Sequence, residues 1–222
     1  GSVTGGHGHL EHEIDEVRWL GAQEAREALT YRRDREQLDA AVDAHAEGHL
    51  ATWTLLVVRH AKAVGRGSWS GEDPDRPLTE AGRRRARRMI SLLTAYDPEH
   101  LLSSPSARCA DTLAPYAAES GLRLTTRKGL SEEGFEASPE KAAKHLAAVL
   151  ARGAGTALCT HGPVLPDLLT TLAGHAPAGR SARVLNRLAR QGMDKGEVLA
   201  VHVAGTGPDA TVVHVERHRP PA

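Results

Sequence analysis

The chain has 222 residues and carries 28 Lys and Arg against 28 Asp and Glu, a balance that excludes a generally basic nucleic-acid binder. With 40% hydrophobic but only 3% aromatic residues, its core must be built from Leu, Val and Ala, and no aromatic stacking platform for bases can be assembled from three Trp, three Tyr and one Phe spread along the chain. The apolar run Leu55–Val58 is far short of the roughly 20 residues that cross a bilayer, and no basic-then-apolar leader opens the chain, so a cytoplasmic protein with no membrane partner is expected.

The opening Gly1-Ser2, without Met, reads as a tag scar or a truncated start, and the Gly-rich residues 1–8 as a flexible lead-in. Ile14–Leu20 alternates apolar and polar as a half-buried strand does, and Ala22–Ala46 has helical spacing at Ala25, Leu29, Leu38 and Val42. Beyond a break at Gly48 the pattern becomes strand–helix alternation. A strand is predicted at Trp53–Arg59, a polar loop at Gly65–Pro77, and a helix capped by Thr79 and running to Tyr96. Next come a strand at Leu101–Ser103, a helix from Ser106 to Glu119 closed by Gly121, and a strand at Leu122–Thr126. A helix from Ser138-Pro139 to Ala151 is broken by Gly155, and the strand Thr156–Thr160 stops at His161-Gly162. Helices near Val164–Ala173 and Arg183–Arg190 precede a hairpin of Val198–Val203 and Ala210–Glu216, with a frayed Pro-rich tail from Arg217. This order predicts an α/β fold: a three-layer α/β/α sandwich on a mostly parallel sheet, occupying 51–222 and preceded by a separate segment, 1–50.

In open α/β sheets reactive groups gather at the carboxyl ends of strands. Two predicted strands end on histidine, at Arg59-His60 and at Thr160-His161-Gly162, and a third ends at Ser103-Ser104-Pro105-Ser106-Ala107-Arg108. A lone His or Arg at such a place is commonly a turn or capping residue. Two His and two Arg converging from three strand ends are a matched set: guanidinium forks fit phosphoryl oxygens bidentately, the helix start at Ser106 adds N–H donors, and a neutral imidazole is a nucleophile. Such a set needs no metal and no cofactor. Lys62 and Arg66 stand close enough to line the pocket mouth, although solvated loop cations are the commoner case. The Arg83–Arg88 run reads as a solvated helix face, the His7/His9/His12 cluster as turn residues or weak metal ligands, and Cys109 and Cys159 as reduced structural thiols.

Arg59-His60-Ala61-Lys62-Ala63 resembles the signature of the histidine phosphatase superfamily, the phosphoglycerate-mutase-like phosphatases, with SixA-type phosphohistidine phosphatases its nearest small members. The similarity continues through Arg76-Pro77-Leu78-Thr79-Glu80-Ala81-Gly82, Ser103-Ser104-Pro105, Arg108, Thr112 and Thr160-His161-Gly162. Ala61 stands where the family has Gly, a departure that matters only if the backbone there needs positive φ. The resemblance implies that His60 attacks phosphorus and becomes a phosphohistidine, while Arg59, Arg108 and a protonated His161 hold the oxygens and Ser106 and Gly162 line the site. It also implies an acid for the leaving group in Leu130-Ser131-Glu132-Glu133, where the spacing selects Glu132, with Glu133 second. Expected substrates are a phosphorylated small molecule, a nucleotide or a phosphoprotein. The alternative is a phosphate- or phosphoprotein-binding module without turnover.

His12–Tyr31 is similar to the last strand and helix of a Nudix domain, which actinobacterial MutT-type proteins join to a C-terminal histidine phosphatase domain. The carboxylate-bearing Nudix box is absent from the sequence, so Nudix metal chemistry is not expected of this chain. The resemblance implies a remnant in 1–50 that packs on the phosphatase domain or on a second copy of the chain, as in a homodimer.

Overall fold

A computed structural model describes residues 16–219. Its contacts divide the chain into two compact units, one ending at Leu50 and the other beginning at Ala51.

The first unit holds two helices, α1 (Ala22–Ala28) and α2 (Arg32–Ala46). The Arg26 guanidinium reaches Asp39 at 2.8 Å, and Arg35 donates to the carbonyls of Leu29 and Thr30 across the turn. Neither helix has a buried residue, and Val17, Trp19 and Tyr31 are exposed. The strand predicted at Ile14–Leu20 is corrected: residues 14 and 15 lie outside the described residues, and 16–20 form neither strand nor helix. Alternation makes a strand only where a neighbour takes up its N–H and C=O groups, and all six strands of the sheet belong to the second unit. The lead-in and the His7/His9/His12 cluster also lie outside the described residues.

The second unit is a three-layer α/β/α sandwich. Its strands are β1 (Thr52–Arg59), β2 (His100–Ser103), β3 (Leu124–Thr126), β4 (Thr156–Thr160), β5 (Val198–Ala204) and β6 (Thr211–His218), in the order β3-β2-β4-β1-β5-β6. The first four are parallel, and β5 lies antiparallel between β1 and β6. Successive residues of the apolar run in β1 feed opposite layers, as expected of a strand buried on both faces. Leu55 and Val57 pack with α6 (Glu140–Arg152), α7 (Leu165–Gly174) and α8 (Arg180–Gln191). Leu56 and Val58 pack with α3 (Glu80–Tyr96) and α4 (Ala107–Ser120).

Local signals set most boundaries. Thr79 caps α3 by accepting from the Gly82 N–H at 3.1 Å, and Gly121, at φ 71°, ends α4. The helix expected to Ala151 ends at Arg152, and it is Gly153, at φ 64°, and not Gly155 that terminates it. The tail predicted to fray from Arg217 is also corrected: β6 continues to His218, with Arg217 held by buried Glu197. Within the arginine run, Arg83, Arg84 and Arg87 pair with Glu80, but half-buried Arg85 donates to the Gly196 carbonyl. Among the described residues no helix is long and apolar enough to cross a membrane.

Candidate active site

The parallel register opposes Arg59 to Thr160, so the next residues of the two strands, His60 and His161, leave the sheet side by side. Their ring centroids are 5.3 Å apart. His60 Nδ1 bonds the Ala61 carbonyl at 2.8 Å, which in the neutral ring makes Nδ1 the donor and leaves Nε2 with its lone pair. Ala61 is fully buried at negative φ and donates to Thr112 Oγ1 at 3.0 Å, so alanine serves where the family pattern has glycine.

Three cationic groups surround this ring. Arg59 is fixed by a bond from Nη1 to the Met193 carbonyl, and a Cβ on Gly162 would stand 3.0 Å from its guanidinium, which explains the glycine after His161. Arg108, in the first turn of α4, is fully buried; it donates to the Asp73 carbonyl at 2.7 Å and meets the Asp73 and Glu132 carboxylates at 3.0 and 3.2 Å. His161 is fully buried, with Nε2 on Ser104 Oγ at 2.8 Å and Cys109 Sγ at 3.3 Å, and Nδ1 3.3 Å from Glu132 Oε1. Arg59 Nε, Arg108 Nε and His161 Nδ1 are buried yet have no hydrogen-bond partner among the described residues. Buried donors are nearly always satisfied, so three around one imidazole mark a place that receives acceptors.

Glu132 arrives through a short helix that the sequence pattern did not reveal, α5 (Glu132–Ala137). Ser131 caps it by accepting from the Gly134 N–H at 3.0 Å, and Thr160 Oγ1 ties the preceding Leu130 carbonyl to the end of β4 at 2.7 Å. A Cβ on Gly134 would lie 1.9 Å from the Lys128 carbonyl, so only glycine lets α5 pack this closely.

The charges act on one another. Burial, reinforced by His161, Arg108 and Arg59, pushes His60 down to about 3. His161 moves up: burial opposes this, but Cys109 and Glu132 outweigh it. Glu132 is held far below the usual carboxylate range by its close approach to His161, then by the charge of Arg108 and by Arg66.

His60, Arg59, Glu132, Gly162 and Arg66 line one cleft, and fully buried Arg108 and His161 stand behind it against Glu132. Arg66 is exposed but reaches Glu132 at 2.6 Å and Asp73 at 3.1 Å. Lys62 and Ser106 do not line this cleft. Lys62 is exposed, with its carbonyl accepting from Thr79, and buried Ser106 opens on a neighbouring hollow with Pro74, Lys128 and Ser131.

Three residues of the site were not singled out from sequence: Asp73, Arg76 and Lys195. Buried Arg76 donates to the Val64 carbonyl at 2.6 Å and to Asp73 at 2.9 Å, and it lines the cleft with Lys195. Asp73 is held below its ordinary value by Arg76, Arg66 and Arg108 against the opposing effect of burial. Lys195 is lowered by burial and by Arg59 and Arg76. Only Arg76 had a signal, its place before Pro77-Leu78-Thr79.

The donors of His60, Glu132 and His161 lie within 4.8 Å of one another, close enough to hold a metal ion, but a cation there would consume the His60 lone pair beside two guanidinium groups.

Comparison with known proteins finds one family and one fold. The model of the histidine phosphatase superfamily (branch 1) matches residues 55–204. The 8-oxo-(d)GTP phosphatase of Mycolicibacterium smegmatis is 32% identical over 166 residues, 75% of this chain and 50% of that protein, so the chain spans half the length of this relative. A SixA-named protein of Nakamurella multipartitia superposes with a TM-score of 0.58 at 23% identity, covering 77% of this chain and 98% of that one. The protein histidine phosphatase SixA complexed with tungstate gives 0.54 at 20%, covering 73% and 95%. At these identities the two structures show a shared fold.

Proposed function

The chain belongs to the histidine phosphatase superfamily, and from that premise we propose that it is a phosphatase that works without a metal, through a phosphohistidine on His60. The observation that carries this reading is the set of three unpartnered buried donors, Arg59 Nε, Arg108 Nε and His161 Nδ1, around an imidazole kept neutral by burial. The nucleophile's Nε2 attacks phosphorus in line, and the bond from phosphorus to the leaving group breaks, P–O in an ester and P–N in a phosphohistidine. Arg59, Arg108 and protonated His161 take the equatorial oxygens and supply the positive charge that a metal would otherwise bring.

Glu132 is ionised in the unliganded site and cannot donate a proton from that state. A phosphoryl group that takes over Arg108 and His161 removes the contacts that hold the carboxylate ionised, so its proton affinity rises as substrate binds. Glu132 then protonates the leaving oxygen and, ionised again, takes a proton from the water that cleaves the phosphohistidine.

The substrate is a phosphomonoester, a phosphohistidine or a nucleotide. The name of the Mycolicibacterium smegmatis relative supports a nucleotide, as does an open cleft that admits a phosphate whose remainder lies outside it. We assign the unit ending at Leu50 to a Nudix-like remnant on the resemblance of His12–Tyr31, with no metal chemistry of its own. No observation favours a binding module without turnover.

The test is phosphate release from p-nitrophenyl phosphate, a phosphohistidine protein and nucleoside mono-, di- and triphosphates in excess EDTA, each beside His60→Ala. EDTA-resistant release that the variant loses, with an acid-labile phosphoenzyme trapped in the wild type, supports the mechanism. Turnover that persists in the variant, or that EDTA abolishes, overturns it.

A further inference from the structure

A second cleft, of about 350 Å³, adjoins the first. Arg66 and Glu132 line both, so the two hollows are contiguous, with the Arg66–Glu132 ion pair as the sill between them. The other lining residues are Trp69, Gly71, Asp73, Glu133 and Glu136.

Trp69 is held there from two directions. Its indole Nε1 donates to the Glu72 carbonyl at 3.0 Å, and a Cβ added to Gly71 would stand 2.9 to 3.1 Å from Cζ2, Cε2 and Nε1. The ring thus lies against the bare Gly71 backbone, where an added methyl would push it aside, and its hydrogen bond orients it without a ligand. A pinned, half-exposed indole at the mouth of a phosphate site presents a large apolar surface to whatever the phosphate carries, and an aromatic ring of that size suits a planar ring. One such ring serves one base, which fits a mononucleotide and not a nucleic-acid strand.

The charges along the groove run in one direction. Arg59, Arg76 and Lys195 line the His60 end. At the Trp69 end stand Glu133 and Glu136, three residues apart on α5 and therefore on one face of it. Neither carboxylate has an ion-pair or hydrogen-bond partner among the described residues. An ionised carboxylate only accepts, and it matches the paired N–H donors of a guanine edge, whereas adenine presents an acceptor at the equivalent ring nitrogen.

We propose that the cleft beside Trp69 is the base subsite for a purine nucleotide whose terminal phosphate lies against His60, with the base stacked on the indole and Glu133 and Glu136 favouring guanine. This rests on the phosphatase reading of the first cleft and names its substrate class.

Steady-state kinetics of the full chain test it, with dGTP, dGDP, dATP, ribose 5-phosphate and p-nitrophenyl phosphate as substrates. In the wild type, kcat/KM for guanine nucleotides exceeds that for ribose 5-phosphate. Trp69→Ala lowers the ratio of kcat/KM for dGDP to that for p-nitrophenyl phosphate by about tenfold, chiefly through KM, and Trp69→Phe restores most of it. Glu136→Gln, alone and with Glu133→Gln, narrows the preference for guanine over adenine. A wild type that turns over p-nitrophenyl phosphate but treats dGDP and ribose 5-phosphate alike, or a ratio that Trp69→Ala leaves unmoved, overturns the base subsite while the phosphohistidine mechanism stands. If His60→Ala keeps the turnover of every substrate, it is the mechanism that fails.

Discussion

His60 and His161 stand with ring centroids 5.3 Å apart, yet their surroundings drive their basicities in opposite directions. His60 is buried among cations with no carboxylate on its ring, whereas His161 has Glu132 on one nitrogen and Ser104 and Cys109 on the other. These surroundings favour a neutral His60 beside a charged His161, the nucleophile and oxygen-binder that the proposed reaction needs.

The pH dependence of kcat/KM follows. His60 is productive when unprotonated, and its pKa of about 3 puts that acid limb more than two units below that of an ordinary imidazole. His161 is productive when protonated, and its raised pKa puts the alkaline limb above 6.5. A rate profile measured with a substrate of known phosphate ionisation checks both limbs, and His161→Gln should remove the alkaline limb and lower the plateau. An acid limb near 6.5 that follows no ionisation of the substrate contradicts a neutral, buried His60.

Leaving-group chemistry separates the roles of Glu132. Glu132→Gln keeps the side chain's size and one acceptor but has no proton to give or take. With an alkyl phosphate, whose leaving oxygen needs that proton, the variant should lose on the order of a hundredfold in kcat. With p-nitrophenyl phosphate the loss in the phosphorylation step should be markedly smaller, and single-turnover kinetics on the two substrates read the difference. Equal losses would assign Glu132 to holding His161 and Arg108 in place.

Gly134→Ala tests how the acid is positioned without touching it. The added methyl would lie 1.9 Å from the Lys128 carbonyl, so α5 must move and carry Glu132 away from His161 and Arg108. Turnover should fall tenfold or more, since displacements near 1 Å are costly in a preorganised site. The melting temperature should drop as well, because Phe135 on the same short helix packs against the core. Differential scanning calorimetry beside the alkyl phosphate assay reads the two effects separately.

The part of the site that could be read from sequence is the part that the sheet delivers. Arg59-His60 and Thr160-His161 end adjacent parallel strands, and Ser103 ends the next, so strand ends predict neighbours. Asp73, Arg76 and Lys195 escape that logic. They come from loops whose meeting depends on contacts such as Arg76 with the Val64 carbonyl and the Gly196 N–H with the Arg59 and His60 carbonyls, and no periodicity encodes these. The helix carrying Glu132 has six residues, too few for a periodic signal, and is set by a cap and a close approach. At 16–20 the pattern misled for the opposite reason: alternation was present but a partner strand was not.

One contact outside the cleft lining shapes how substitutions should register. Arg217, near the end of β6, clasps fully buried Glu197 at 2.6 Å; the Glu197 carboxylate takes the Asp194 N–H at 2.6 Å, and its carbonyl takes the Arg59 N–H at 3.1 Å. Met193, in the same turn, holds the Arg59 guanidinium. In a saturation scan scored by turnover, Arg217 should therefore rank among the residues around His60, since its loss leaves a buried carboxylate without its cation at the base of the turn that aims Arg59. An extension fused directly after β6 would bear on the chemistry at the opposite end of that chain of bonds.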